Sequence, residues 1–415
     1  MNFLETVKNA KKASFKLANL SLQTKNFALK SVAESIEKNR QKIMDANAKD
    51  LLNGQKLVES GEISQAVFNR LKLDENKMNT MIAGVKDLIK LDDPINKCLL
   101  ARQLDVGMNL YKMSCPIGVL GVIFEARPDV ITQVSALAIK SANAVILKGG
   151  KESINTNKAI FKAIQEALNG VKEYPKYAIN QIFSHEDVAK MLDMGDCIDL
   201  IIPRGGNALV KFIKENTKIP VLGHADGICH IFVDESADLK MATDIVIDSK
   251  TQYPSACNAV ETLLIHKNFK YSNELIEALK NAEIKMIDNP ESWAFEYSDK
   301  ILAYKEVDNI DEAIEHINKY GSGHTDAIIS DNVENAAKFL NDVDSAGVYH
   351  NVSTRFSDGY RYGFGAEVGI STNKTHARGP VGFEGLTIYK YKLYGSGHIV
   401  KDYADGTKQF THKKL

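Results

Sequence analysis

The sequence predicts an α/β protein made of a Rossmann-like domain, a second α/β domain and a β-ribbon element. Three observations carry that expectation. From residue 117 onward, short apolar runs alternate with helical patterns, the rhythm of a parallel sheet covered on both faces. A chain of 415 residues exceeds one ordinary hydrophobic core, so two or three domains are expected. Two further stretches, 102–118 and 386–400, alternate residue by residue as ribbons do.

Taken in order, residues 1–90 place apolar side chains at helical period among charges, with Asn53-Gly54 and Gly61 as punctuation. The first of these helices is expected to be amphipathic through Phe3, Leu4, Val7, Ala10, Phe15 and Leu17, unlike the unbroken apolar core of a signal peptide. Asp92-Asp93-Pro94 ends the region, and the ribbon 102–118 turns at Gly107. Strands are then expected at 118–125, 143–148, 179–184, 197–202, 219–223 and 229–234, with helices after Pro128, over 153–168 and over 208–216. A second unit follows with strands at 260–266, 301–307, 326–330 and 347–351, separated by helices. The tail 386–400 can pair with the earlier ribbon or with another subunit.

Composition narrows the function. Apolar content of 44% and charged content of 25% are those of a soluble globular protein. A net charge of -1 gives no basic field for nucleic acid or a membrane surface, so neither partner is expected. The five cysteines show no paired spacing, which fits a reducing cytoplasm. Of the 52 basic residues only eight are Arg, and five of those, Arg127, Arg204, Arg355, Arg361 and Arg378, fall in Gly- or Pro-punctuated loops. Lysine then serves general solubility, and arginine marks loops that grip a planar anion.

Cys257 stands apart from the other cysteines. It lies in the polar run KTQYPSACNAVET, whose small residues admit a substrate and leave backbone N–H groups for a thiolate or oxyanion. Cys115, Cys197 and Cys229 lie in apolar runs and read as packing, and Cys98 lies in a connector. Two strand-to-helix junctions suit a nucleotide: Lys148 and Gly149 in LKGGKES, and Arg204, Gly205 and Gly206 in IPRGGNALV. Glycines there let backbone approach a phosphate at a helix N-terminus, although neither junction matches GxGxxG. Arg127 in FEARPDV, Arg355, Arg361 and Glu367 in the long loop 351–385 are the expected substrate contacts. His224 and His230 flank Cys229 without zinc spacing, so no metal is expected, and His224 reads as a structural histidine.

Together the segments CPIGVLGVIFEARPDV, LKGGKES, IPRGGNALV, VLGHADGICHIFVD, QYPSACNAVETLL, GSGHTDAII and STRFSDGYRYGFGAEVGIST through ARGPVGFEGLT resemble the γ-glutamyl phosphate reductase family within the aldehyde dehydrogenase superfamily. The resemblance runs in order from Ile117 to the C-terminus. It implies an aldehyde-dehydrogenase-like fold with a cofactor domain at 1–99 and 117–253, a catalytic domain at 254–372, and an oligomerisation ribbon and tail at 100–116 and 386–415. It implies that Cys257 attacks the acyl phosphate of L-glutamyl 5-phosphate, that NADPH reduces the resulting thioester, and that the chain forms a homo-oligomer associated functionally with glutamate 5-kinase. Hydrolytic members of the superfamily carry a water-activating glutamate in the segment equivalent to VLGHADGI, yet no Glu occurs between Asn216 and Asp234. The superfamily's oxyanion asparagine is replaced by Ala126, which leaves the Cys257 N–H as the expected donor. A hydrolytic or phosphorylating aldehyde dehydrogenase for another acid is the alternative, separable by its phosphate requirement. A non-catalytic nucleotide-binding scaffold is a third reading, opposed by the thiol and the loop arginines.

Overall fold

The computed structural model describes residues 2–224 and 226–415. Five helices open the chain: α1 (Phe3–Leu17), α2 (Leu22–Lys38), α3 (Arg40–Glu59), α4 (Gln65–Leu71) and α5 (Glu75–Lys90). Their starts are written in the sequence, because Asn2, Ser21, Ser64 and Asp74 each accept a hydrogen bond from a first-turn N–H. The buried face of α1 is Val7, Ala10, Ala13, Ser14 and Leu17. Phe15 and Leu4, expected on that face, are exposed.

Next come β1 (Cys98–Asp105), β2 (Met108–Pro116), β3 (Val119–Phe124), α6 (Asp129–Lys140), β4 (Ala144–Lys148), α7 (Ile154–Asn169), β5 (Ile179–Ile182), α8 (His185–Leu192), β6 (Leu200–Arg204) and α9 (Asn207–Glu215). Strands β3 to β6 form a parallel sheet in the order β5-β4-β3-β6. The run expected as a strand at 219–223 contributes one bridge, from Val221 to Ile201, and the strand expected from Cys197 begins at Leu200. Pro220 and the short span explain the first difference, since proline cannot donate to a ladder.

The rest of the chain holds β7 (Cys229–Val233), α10 (Leu239–Thr251), β8 (Val260–His266), α11 (Ser272–Asn281), β9 (Lys285–Asp288), β10 (Ile301–Val307), α12 (Ile310–Tyr320), β11 (Thr325–Ile329), α13 (Val333–Asp342), β12 (Gly347–His350), β13 (Ile370–Ser371), β14 (Gly379–Pro380), β15 (Thr387–Tyr394), α14 (Val400–Ala404) and β16 (Lys413–Lys414). Six of these strands make a second parallel sheet, ordered β12-β11-β7-β8-β10-β9. Its two faces follow the strand period of two. Ile231 and Val233 of β7 pack with α10 and α11, whereas Phe232 packs with Ile314 and Phe339 of α12 and α13. The β9 strand was not anticipated. Its pattern of two exposed and two half-buried residues marks an edge strand with little apolar signal.

The chain divides into two compact units: Met1–Gly205 with Ile213–Val221 and Gly382–Leu415, and Gly206–Phe212 with Leu222–Val381. This moves the expected 253/254 boundary. Residues 222–253 belong with Cys257, because β7 pairs with β8 and β11 rather than with the first sheet. The ribbon is an antiparallel sheet ordered β15-β2-β1-β16, turning at Gly107 with φ of 76°. The tail therefore pairs with the ribbon of its own chain.

Lysine is not confined to the surface. Lys25, Lys140 and Lys250 are fully buried, each held by oxygens: Asp93 at 2.5 Å, the Leu91 carbonyl at 2.5 Å, and Glu261 at 2.7 Å. Burial pushes Lys140 down to about 8 and, despite Lys250, pushes Glu261 up to about 7. No helix is long and apolar enough to cross a membrane among the described residues.

Candidate active site

In the second unit, Cys257 occupies a turn between α10 and β8 and is half-buried. His224 precedes β7, Cys257 precedes β8, and His324 is the residue before β11. Since β11, β7 and β8 are neighbours and parallel, these three segments meet at the N-terminal edge of the sheet. One nitrogen of each imidazole and the Cys257 sulfur all lie within 4.8 Å of one another. The Nδ1 of His224 donates to the Ile370 carbonyl at 2.7 Å, so its Nε2 carries the lone pair. The two rings meet edge to face at 4.7 Å. His224 is thus hydrogen-bonded to the backbone, as expected of a structural histidine, and is also a neighbour of the thiol.

Backbone packing holds the thiol in place. A methyl group built on Gly227 would lie 2.1 Å from the Cys257 carbonyl oxygen, so only glycine allows this approach. Asn258 donates to the Ser357 carbonyl at 2.8 Å, and Thr354 donates to the Asn258 carbonyl at 2.7 Å, tying the Cys257 loop to the long loop. The Cys257 N–H donates to no acceptor among the described residues, as an oxyanion donor requires. Cys229, in contrast, is fully buried with its S–H on the Cys257 carbonyl at 3.3 Å, and burial raises its pKa far above the usual thiol range.

The expected substrate residues take different places. Arg355 is buried, its Nε donates to Gln252 at 2.9 Å, and its guanidinium lies 5.8 Å from the Tyr253 ring centroid. It has no carboxylate ion-pair partner among the described residues. Burial, then the neighbouring Arg361, lower its pKa, and the Cys257 charge opposes that fall. Arg361 is exposed and donates to the Arg355 carbonyl at 2.5 Å. Glu367 accepts from the Gly359 N–H at 2.8 Å and braces the long loop. Arg378 is engaged by Asp344 at 3.0 Å, which makes it a brace as well.

In the first unit, Lys148 ends β4 and Gly149 follows it, while Arg204 ends β6 before Gly205. Both junctions lie at the C-terminal edge of the parallel sheet, the usual side for ligands in open α/β folds. Lys148 is buried, and its ammonium makes no hydrogen bond or ion pair with the described residues. Burial lowers its pKa, against the pull of Glu152 and Glu125. Gly206 falls in the other unit and is open around its Cα. Arg127 is half-buried just ahead of α6, whose cap position is Pro128. Ala126 has φ of 44° and gives its N–H to Glu152 at 2.6 Å, so it offers no oxyanion donor.

Two parallel α/β units, one bearing a buried cation at its strand ends and the other a thiol loop, define the class. The aldehyde dehydrogenase family model matches residues 2–297, and the chain belongs to that family. Among its relatives is the γ-glutamyl phosphate reductase of Brachyspira hyodysenteriae, 57% identical over 431 residues, with 100% of both chains covered. The crystal structure of the γ-glutamyl phosphate reductase of Thermotoga maritima matches with a TM-score of 0.91 at 39% identity, covering 96% of this chain and 100% of that one. The Saccharomyces cerevisiae enzyme of the same name matches with a TM-score of 0.56 at 37% identity, covering 97% and 100%.

Proposed function

We propose that this protein reduces L-glutamyl 5-phosphate to L-glutamate 5-semialdehyde and phosphate, using NADPH and a thioester on Cys257, the second step of proline synthesis from glutamate. The relatives named above support the reaction. The observation that carries the site is Arg355: a buried guanidinium without an ion pair beside a nucleophile loop suits a substrate bearing carboxylate and phosphate.

His224 takes the thiol proton on Nε2, held in that tautomer by the Ile370 carbonyl. The thiolate attacks the acyl carbon, a C–S bond forms, and the C–O bond to phosphate breaks with both electrons leaving on phosphate. The Cys257 N–H donates to the carbonyl oxygen as negative charge gathers there. Lys148, Gly149, Arg204, Gly205 and Gly206 would hold the nicotinamide cofactor, and a buried ammonium with no internal partner fits its hydroxyl or phosphate oxygens. When bound, the reduced cofactor supplies a hydride to the thioester carbon. Collapse of the adduct returns the electrons of the C–S bond to Cys257 and frees the aldehyde.

Arg127, Arg361 and Glu367 are read as further substrate contacts, Glu367 being tied into the long loop by the Gly359 N–H. The ribbon sheet is read as an oligomerisation element: Ile388, Tyr389, Tyr391, Leu393 and Tyr394 of β15 are all exposed, more apolar surface than one strand usually leaves open. A cytoplasmic location and an association with glutamate 5-kinase accompany this reading.

The test is oxidation of the semialdehyde, in equilibrium with pyrroline-5-carboxylate, with NADP in the presence and absence of phosphate. Turnover should require phosphate or arsenate as acyl acceptor, and Cys257→Ser should abolish it while leaving the melting temperature near that of the wild type. Steady oxidation to glutamate in phosphate-free buffer at the phosphate-stimulated rate would show His224 activating water and would favour a hydrolytic dehydrogenase.

A further inference from the structure

The cluster at the sheet edge contains one sulfur and two imidazoles and no carboxylate. We propose that His224, Cys257 and His324 form a three-ligand site for a soft divalent cation, with Zn2+ as the physiological occupant, and that occupancy blocks the thiol. Binding stands on geometry alone; the expected inhibition rests on the nucleophile reading above.

Three features of the cluster favour this occupant. A thiolate with two imidazoles selects zinc over magnesium or calcium, which take oxygen ligands. From ordinary Zn–S and Zn–N lengths, a tetrahedral ion wants S···N near about 3.6 Å and N···N near about 3.4 Å. The three ligand atoms, already within 4.8 Å of one another, need only side-chain adjustments of roughly 1 Å to reach those spacings. His224 gives Nδ1–H to the Ile370 carbonyl at 2.7 Å, the outer contact that metal-ligating histidines use to present Nε2.

His324 supplies an independent indication. It is fully buried, its Nδ1 lies 2.9 Å from the Thr325 hydroxyl, and its Nε2 has no hydrogen-bond partner among the described residues. Buried polar atoms are normally satisfied, and a bound ion would satisfy this one, on a ring that offers a nitrogen to the cluster. Ligation uses the thiolate, and half-buried Cys257 leaves the fourth position open to water.

Cadmium is the probe, since its bond to thiolate gives an ultraviolet charge-transfer band. Titrating the reduced, metal-stripped full-length chain should give one equivalent of the band, reversed by Zn2+ and lost in Cys257→Ala. His224→Ala and His324→Ala should each weaken cadmium affinity about tenfold or more. Should buried His324→Ala fail to melt like the wild type, His224→Ala alone decides. A band that survives Cys257→Ala, or an affinity changed by less than about threefold in a folded histidine variant, would overturn the site. Zn2+ should also slow alkylation of Cys257 and suppress turnover. If Cys257→Ser turned over substrate at the wild-type rate while cadmium binding still required Cys257, the catalytic reading would fall and the metal site would remain.

Discussion

Substituting Gly227 by alanine tests whether the backbone around Cys257 must be as tight as it is. The added methyl would sit 2.1 Å from the Cys257 carbonyl oxygen, 2.4 Å from its Cα and 2.6 Å from its carbonyl carbon. All three are backbone atoms, so no side chain can swing aside. Reaching ordinary contact at 3.4 Å from 2.1 Å requires the two segments to part by about 1.3 Å. Displacements of about 1 Å at a reacting centre cost on the order of 100-fold in rate, and overpacking of this kind destabilises by about 1 to 3 kcal/mol. The Gly227 N–H, which donates to Glu296 at 3.0 Å, would be strained with it. Gly227→Ala should therefore lower phosphate-dependent kcat/KM about 100-fold and slow alkylation of Cys257, with a melting point reduced by only a few degrees. Gly195→Ala is the control, because its methyl would meet Ile219 at an ordinary 3.7 Å. Activity within about twofold of the wild type in a folded Gly227→Ala enzyme would refute the argument that this close approach positions Cys257 for the proposed reaction.

Two further outcomes are expected. Lys148→Ala and Arg204→Ala should each raise the KM for NADP about tenfold, the worth of one charge-assisted hydrogen bond, and should move the KM of the second substrate less; unchanged cofactor affinity in both would reduce those junctions to turns. Burial, reinforced by His230, pushes the His316 imidazole down to about 3, while an unfolded histidine titrates near about 6.5. The unfolded chain therefore binds the extra proton below that pH, and stability should be intact above about pH 6.5 and fall as pH drops from there toward 3, by at most about 1.4 kcal/mol per pH unit from this group. His316→Phe, which keeps ring packing against Trp293 and Tyr320, should flatten that acid limb in melts followed from pH 7 to 5; an unchanged slope would assign the acid sensitivity elsewhere.

Local information is what the sequence carries well. Fully buried strands such as β4, β7 and β8 appear as short unbroken apolar runs because both sheet faces are covered. Helix starts follow from Asn, Ser and Asp at the caps, a chemistry confined to one turn. Cys257 was legible because a polar loop of small residues differs from the apolar surroundings of Cys229. The same local reading misjudged Phe15, whose helical spacing was right while its face was wrong, and, reading lysine as a general solubility residue, it did not foresee that Lys25, Lys140 and Lys250 are buried.

Strand order and side-chain convergence were decided only by the tertiary structure. Nothing near residue 229 announces that β7 joins β8 and β11 in the second sheet, since a parallel partner is chosen by the packing of crossover helices across distant sequence. That choice brings His224, Cys257 and His324 together although they are far apart along the chain, and no spacing rule could have linked them. Gly227 likewise looks like any loop glycine until the Cys257 backbone is seen against it. The sequence alone indicated most of the elements and singled out Cys257, because propensity, capping and burial period act over a few residues. The site's neighbours, the unit boundary and the buried cations depended on contacts made only when the sheets assemble.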